Sequence, residues 1–148
     1  MGVREHGFNR GKEVEMYQRA GGGKPGDAWC SWFVSWCLRQ AHVATAYFGR
    51  ARSWFDARHT IWTNGHSLPG CPAPRPNDLL GYTWGNPAIA HVELLLAWTT
   101  TPSCKALGGN TGGGRALLRE GEGVFVSWRL KRLVKSGANP IDNPSYSK

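Results

Sequence analysis

The stretch Gly26-Asp27-Ala28-Trp29-Cys30-Ser31-Trp32-Phe33-Val34-Ser35-Trp36-Cys37-Leu38 decides how the rest of this chain can fold. Cys30, Phe33, Val34, Cys37, Leu38 and Ala41 recur at i, i+3, i+4, i+7, i+8 and i+11, which is one apolar face of an α-helix. Trp29, Trp32 and Trp36 make a second stripe beside it, and a helix apolar over that much of its circumference is a buried one. The spacing predicts a central helix from about Ala28 to Gln40, with Asp27 as N-cap and Pro25-Gly26 breaking the chain before it. Cys30 then falls in the first turn, near free N–H groups and the positive end of the helix dipole. Those groups favour a thiolate, the form that attacks carbonyls.

A cysteine in an apolar helix is more often a small buried hydrophobe than a nucleophile. Cys37 fits that reading: it lies roughly 10 Å down the same face and cannot bridge to Cys30 without breaking the helix. Cys30 differs because of its neighbours. Gly-Asp-Ala-Trp-Cys-Ser-Trp-Phe-Val-Ser-Trp-Cys, residues 26–37, resembles the nucleophile signature of the CHAP amidase/peptidase family, papain-like relatives of the NlpC/P60 cell-wall hydrolases. Gly2 to Glu5 and Asn9 to Tyr17 look like that family's leading helix, and Ala51 to Phe55 like the short helical segment after the nucleophile helix. Pro76-Asn77-Asp78-Leu79-Leu80 resembles the Pro-Gly-Asp run before the first strand. Ala90-His91-Val92 is similar to the histidine strand, and Leu107-Gly108-Gly109-Asn110 to the strand end that supplies a third polar residue. Cys30, His91 and Asn110 follow the family's order. The chain departs from the pattern at Asn77, usually glycine, at Glu93, commonly small, and at Gly108, where some relatives carry an acidic residue; it also lacks an N-terminal Asp cluster of the kind that binds calcium in some of them.

The resemblance implies an α+β, papain-like single domain over residues 1–138, with N-terminal helices and the nucleophile helix packed on an antiparallel sheet. Residues 139–148 read as a mobile tail. At 148 residues, 41% hydrophobic with eight tryptophans, the chain suits one packed domain. No run approaches the roughly 18 to 20 apolar residues of a membrane span, and the start lacks the pattern of a signal peptide. The expectation is a protein made in the cytoplasm, without stable membrane insertion, that reaches the wall in the periplasm or outside the cell after lysis or through a secretion system. Four cysteines with no Cys-x-x-Cys spacing argue against zinc and redox chemistry, so no metal and no cofactor is expected. Cys71 and Cys104, in loop sequence flanked by Pro or Ser, can pair in an oxidising compartment or stay as thiols.

A formal net charge of +8 favours anionic partners. Without a basic helix or a recognised fold, nucleic acid is not among them. Arg129, Lys131, Arg132 and Lys135 concentrate charge near the end, where the ordinary reading is a solvated strand or loop.

In chain order, Asn9 is expected to cap a helix running to Ala20, with Val14 and Tyr17 turned inward. Gly21 to Gly26 is then a loop beside the site. Val43 to Gly49 and Arg52 to Arg58 are expected to complete a helical layer, and Thr60 to Arg75 to form a long irregular loop with a binding role. Strands are expected at Leu79–Tyr82, Ile89–Trp98, Ser103–Leu107 and Gly123–Leu130; in the last, Val124, Val126 and Trp128 alternate with Phe125, Ser127 and Arg129. Helices first and strands afterwards make an α+β domain.

A thiol attacking an amide needs a base, and then an acid for the departing amine; one histidine serves as both. Of five histidines, His6 and His42 flank helices and His59 and His66 sit in the irregular loop, where a solvated ring is the default. His91 alone lies within an apolar strand and matches the family position. Catalytic residues are therefore Cys30, His91 and Asn110, with first-turn N–H groups at Trp29 and Cys30 for the oxyanion. Asn110 is preferred as the orienter of His91. Glu93 is its rival, but at two residues along one strand it is expected to point parallel to the ring; Asp78 is a weaker rival, since an acidic residue before a strand is most often a turn former. Trp29, Trp54 and Glu93 are expected along a substrate groove.

The function implied is cysteine-dependent hydrolysis of an amide bond in bacterial peptidoglycan, as an N-acetylmuramoyl-L-alanine amidase or a peptide endopeptidase, in a phage lysin or a secreted antibacterial effector. Anionic wall polymers, and for an effector a cognate immunity protein, are the further partners. The alternatives are a papain-like deamidase or transpeptidase and a non-catalytic wall-binding module.

Overall fold

The computed structural model describes residues 2–112 and 122–142. Helices α1 (Lys12–Ala20) and α2 (Cys30–Gln40) come first, followed by β1 (Thr60–Thr63), β2 (His66–Ser67), β3 (Leu79–Thr83), β4 (Ile89–Trp98), β5 (Ser103–Thr111), β6 (Gly123–Leu130) and β7 (Ser136–Ala138). The strands form one antiparallel sheet in the order β2-β1-β7-β3-β4-β5-β6. This is the α+β arrangement expected, helices packed on a sheet. β7 has no strong pattern of its own in the sequence, yet it fills the gap between β1 and β3.

The period of two decides what each face of the sheet carries. Leu79 on β3 and Val92 and Leu94 on β4 pack with Val34, Leu38 and Trp54 under α2. Leu80, Tyr82 and Leu95 alternate with them and build a separate apolar layer with Trp62, Cys104, Ala106 and Val134. α1 lies against α2 through Val14, Tyr17, Trp29 and Phe33, with Tyr17 and Trp29 stacked at 5.9 Å. Burying these rings supplies most of the local stabilisation, roughly 2 to 3 kcal/mol for each fully buried one.

α2 starts two residues later than its spacing predicts. Trp29, not Asp27, is its N-cap, and the Asp27 carboxylate accepts the Lys24 N–H at 2.8 Å, closing a turn before the helix. α1 likewise begins at Lys12 after Gly11, because Asn9 takes a left-handed conformation (φ 51°) in the loop before it. From there the Asn9 amide donates to the Gly26 carbonyl, while the buried Gln18 amide donates to the Asn9 and Asp27 carbonyls. These bonds fix the segment that delivers Cys30. Gly21, Gly23 and Gly49 have a steric reason: a Cβ at each would lie 2.2 to 2.5 Å from the Trp32 indole.

The segment from Val43 to Gly49 is not helical, and only Ala51–Trp54 of the next forms a short 3-10 turn. The backbone of Phe48 is held by the hydroxyls of Ser31 and Ser35, which takes the place of helical bonding. Thr60 to Arg75 is not one irregular loop. β1 and β2 form a hairpin over it whose turn residues, Asn64 (φ 44°) and Gly65 (φ 97°), are the Asn-Gly pair such a turn requires. Asp78 forms the turn expected of it, its carboxylate accepting the Arg75 N–H at 2.9 Å. The tail expected from Asn139 onward starts anchored: Asn139 is buried, its side-chain oxygen accepts the N–H groups of Ile141 and Asp142, and Asp142 pairs with Arg75. Residues 143–148 lie outside the described residues.

Candidate active site

Cys30 is the first residue of α2 and keeps 6% of its surface exposed, whereas His91 keeps 1% and Glu93 none, so the sulfur is the member an incoming substrate can touch. The thiol lies close enough to the His91 ring to raise its pKa. Around that ring stand Trp84 and Tyr82, at centroid distances of 5.4 and 6.0 Å. His91 Nε2 lies 3.2 Å from Glu93 Oε1.

This last contact overturns the expectation that Glu93 points parallel to the histidine. Two residues along a strand share a face, and the longer glutamate bends back toward the ring because a cation draws its carboxylate. The cation is Arg129: its Nη2 donates to Glu93 Oε1 at 2.6 Å and its Nε to Oε2 at 3.0 Å, a bidentate pair with both side chains 0% exposed. The remaining reach of Nη2 goes to Thr111 Oγ1 at 2.8 Å. Gly108 leaves the space, since a Cβ there would stand 2.7 Å from Glu93 Oε1.

The charges follow from these contacts. Burial alone would raise the Glu93 pKa, but hydrogen bonds from His91 and Arg129 outweigh it and bring it down to about 2. Burial alone would lower that of His91; its interactions with Cys30 and Glu93 reverse the sign and raise it to about 9. Arg129 holds its proton still more firmly, its desolvation exceeded by the bond to Glu93. Cys37 differs in kind: burial pushes its thiol up to about 12, and Cys104 rises to about 11 for the same reason. Cys104 lies within β5 rather than in a loop, and both it and Cys71 are free thiols.

β6 buries its polar face. Ser127 and Arg129 are inside while Val126 and Trp128 are 53% and 45% exposed, because Arg129 must face Glu93 across β5. The solvated reading of Arg129 therefore does not hold, and neither does that of His59, which is buried with Nδ1 2.7 Å from the Asp56 carboxylate. Arg129 and Thr111 are the site residues that sequence reasoning missed. An arginine in register within an alternating strand is the one signal that pointed to the first.

Asn110 is buried at the bulge of β5, in a left-handed conformation (φ 53°) that asparagine tolerates, next to Thr111. Gly109 beside it lets Trp29 and Phe33 approach: a Cβ there would lie 2.7 Å from both side chains. Gly109→Ala is accordingly expected to cost about 1 to 3 kcal/mol by overpacking, read as a lowered urea midpoint at unchanged slope. Trp29 and Trp54 line no open groove. Both are fully buried, the first donating its indole N–H to Glu5 at 2.7 Å and the second to Ser31 at 2.9 Å, and Glu93 is equally closed off. Among the described residues no cluster of His, Cys, Asp or Glu could hold a metal ion, and no helix is long and apolar enough to cross a membrane.

A family model described as CHAP domain matches residues 21–105, more than half of the chain, spanning Cys30, His91 and Glu93 and ending before Asn110 and Arg129. Comparison with curated proteins and with solved structures found no match. The chain belongs to the CHAP-domain family, whose members are in general peptidoglycan hydrolases acting as amidases or peptidases.

Proposed function

We propose that the protein is a papain-like cysteine hydrolase that cleaves an amide bond of bacterial peptidoglycan, with Cys30 as nucleophile and His91 as base and then acid. The observation that carries this reading is the buried chain of contacts from the Cys30 thiol through His91 and Glu93 to Arg129. The imidazole takes the thiol proton, and the resulting imidazolium stays paired with the Glu93 carboxylate. The thiolate attacks the amide carbonyl, and the N–H groups at the start of α2, at Trp29 and Cys30, are the donors available to the oxyanion. His91 then protonates the departing amine, leaving an acyl-enzyme that water hydrolyses with the same ring as base.

Glu93 is the proposed orienter of His91 on the strength of the 3.2 Å contact. Asn110 is the second reading, favoured by its burial at the adjoining bulge. A greater loss of kcat in Asn110→Ala than in Glu93→Gln, at equal stability, would reverse the assignment. The role in the cell is that of a phage lysin or a secreted effector, the latter with a cognate immunity protein, acting on the wall from the periplasm or outside.

Incubating the protein with purified sacculi is expected to release soluble fragments whose masses identify the bond. New N-terminal alanine would mark an N-acetylmuramoyl-L-alanine amidase, and a new amino group within the stem or cross-bridge an endopeptidase. Sacculi left intact, with ammonia released from a protein glutamine instead, would favour a deamidase.

A further inference from the structure

The basic residues that cluster near the C-terminal end of the sequence divide in the fold. Arg129 is consumed in the buried pair with Glu93, whereas Lys131, Arg132 and Lys135 line an open cleft of about 620 Å³ together with Trp62, Asn64 and Trp98. The cleft lies over the apolar layer of Trp62, Leu80 and Val134, on the face of the sheet turned away from α2. Its lining includes none of Cys30, His91, Glu93 and Arg129, although the last three stand on this same face of the sheet.

No Asp or Glu lines it, and among the described residues none of the three cations has a carboxylate within ion-pair distance. One of the cations is also held in place. Lys131 Nζ donates to the Thr99 carbonyl at 2.5 Å and stands 4.5 Å from the centre of the Trp98 ring. Three like charges around one concavity repel each other, and an anion entering it would relieve that repulsion while gaining focused attraction. The aromatic surface narrows the class of anion. Trp62 is buried at 5% exposure and packs edge-on against Trp98, whose ring carries the Lys131 ammonium. Single-stranded nucleic acid gains much of its affinity by stacking bases on free aromatic faces. Here Trp62 is buried and Lys131 stands over the Trp98 ring, so recognition of phosphates by point charges is the larger contribution.

We propose that this cleft binds the phosphate groups of a phosphodiester-linked polyol polymer of the cell wall, holding the protein on the wall apart from its catalytic contacts. The choice of a wall polymer rests on the reading that the chain acts on peptidoglycan. The test is built so that the two stand or fall separately, because it uses the Cys30→Ala protein, which needs no activity to bind.

Titration of that protein with poly(glycerol phosphate), followed by calorimetry from 50 to 300 mM salt, is expected to give binding that weakens steeply with salt. Adding Arg132→Ala and Lys135→Ala is expected to lower affinity ~10-fold or more at low salt and to flatten the log–log salt slope by about 1.4, at roughly 0.7 for each lost contact. Arg132→Ala alone, at an exposed position, is expected to give about half that change in slope. The control pair Lys12→Ala and Arg19→Ala on α1, which removes the same formal charge, is expected to change affinity less than about 2-fold. Absence of binding, an equal loss in the control pair, or an oligothymidylate of matched charge binding as tightly with the same variant dependence would each overturn the proposal. None of these results bears on whether sacculi are digested.

Discussion

Cys30→Ala is expected to abolish release of fragments from sacculi, a loss on the order of 10⁴-fold or more, while the protein stays folded. The loss is this large because Cys30 is the thiol that acts on the His91 ring, while burial holds the thiols of Cys37 and Cys104 protonated well above neutral pH. The fold survives because the change removes one sulfur atom at the first residue of α2, where the backbone is held by other groups. Gln18 and Asn9 fix the chain before it, and Phe33 N–H donates to the Trp29 carbonyl behind it. A cavity the size of one sulfur costs about 1 kcal/mol. Iodoacetamide followed by peptide mapping gives an independent reading: Cys30 is expected to be alkylated faster than Cys37 and Cys104. An alanine variant with residual activity, or labelling of Cys37 at the same rate, would remove Cys30 from its role.

The order of the elements and the helix that carries Cys30 were legible because they rest on local patterns. An apolar face at helical spacing over residues 30–41 has one stable solution, and β4 and β6 have the bounds their alternation predicts. What was not legible rests on partners distant in sequence. Whether Asn9 or Gly11 starts α1 depends on the bond from Asn9 to Gly26. The face of β6 that turns inward depends on Glu93, 36 residues away, and hydropathy alone chooses the wrong one. The Asn64-Gly65 hairpin is a different case: its turn signal is local, and the surrounding prolines and glycines masked it. For the site, it was the resemblance of residues 26–37 and 90–92 to the CHAP pattern that brought Cys30 and His91 together. The orienting contact was misjudged because backbone geometry fixes where a Cβ points, not where a long side chain ends when a buried guanidinium attracts it.

That guanidinium carries the second large effect. Arg129→Met leaves the Glu93 carboxylate buried without its bidentate partner, and breaking a pair that is 0% exposed on both sides costs about 3 to 5 kcal/mol. Glu93→Gln leaves Arg129 stranded in the same way, and in addition takes from His91 the charge that keeps its imidazolium. Combining Glu93→Gln with Arg129→Met removes both charges, so stability is expected to recover toward the parent, measured by urea denaturation, while activity remains at least about 10²-fold down. That split separates a packing role from a chemical one: if activity returned together with stability, Glu93 would be holding the sheet and not the ring. The pH profile gives the sign. His91 is raised to about 9, so the acid that protonates the leaving amine is present below that value and lost as pH rises through it. Removing the carboxylate lowers the His91 pKa, and the alkaline limb of kcat/KM is expected to move to lower pH in Glu93→Gln. The stability ledger runs through the same two groups. Glu93, depressed from 4.5 to about 2, contributes stability that is present above pH 4.5 and lost as pH falls toward 2. His91, raised from 6.5, contributes stability that is complete below pH 6.5 and lost as pH climbs through about 9. A thermal melting maximum between these bounds, flattened at both ends in the double variant, is the expected result; an unchanged alkaline limb in Glu93→Gln would mean that His91 takes its charge from Cys30 alone.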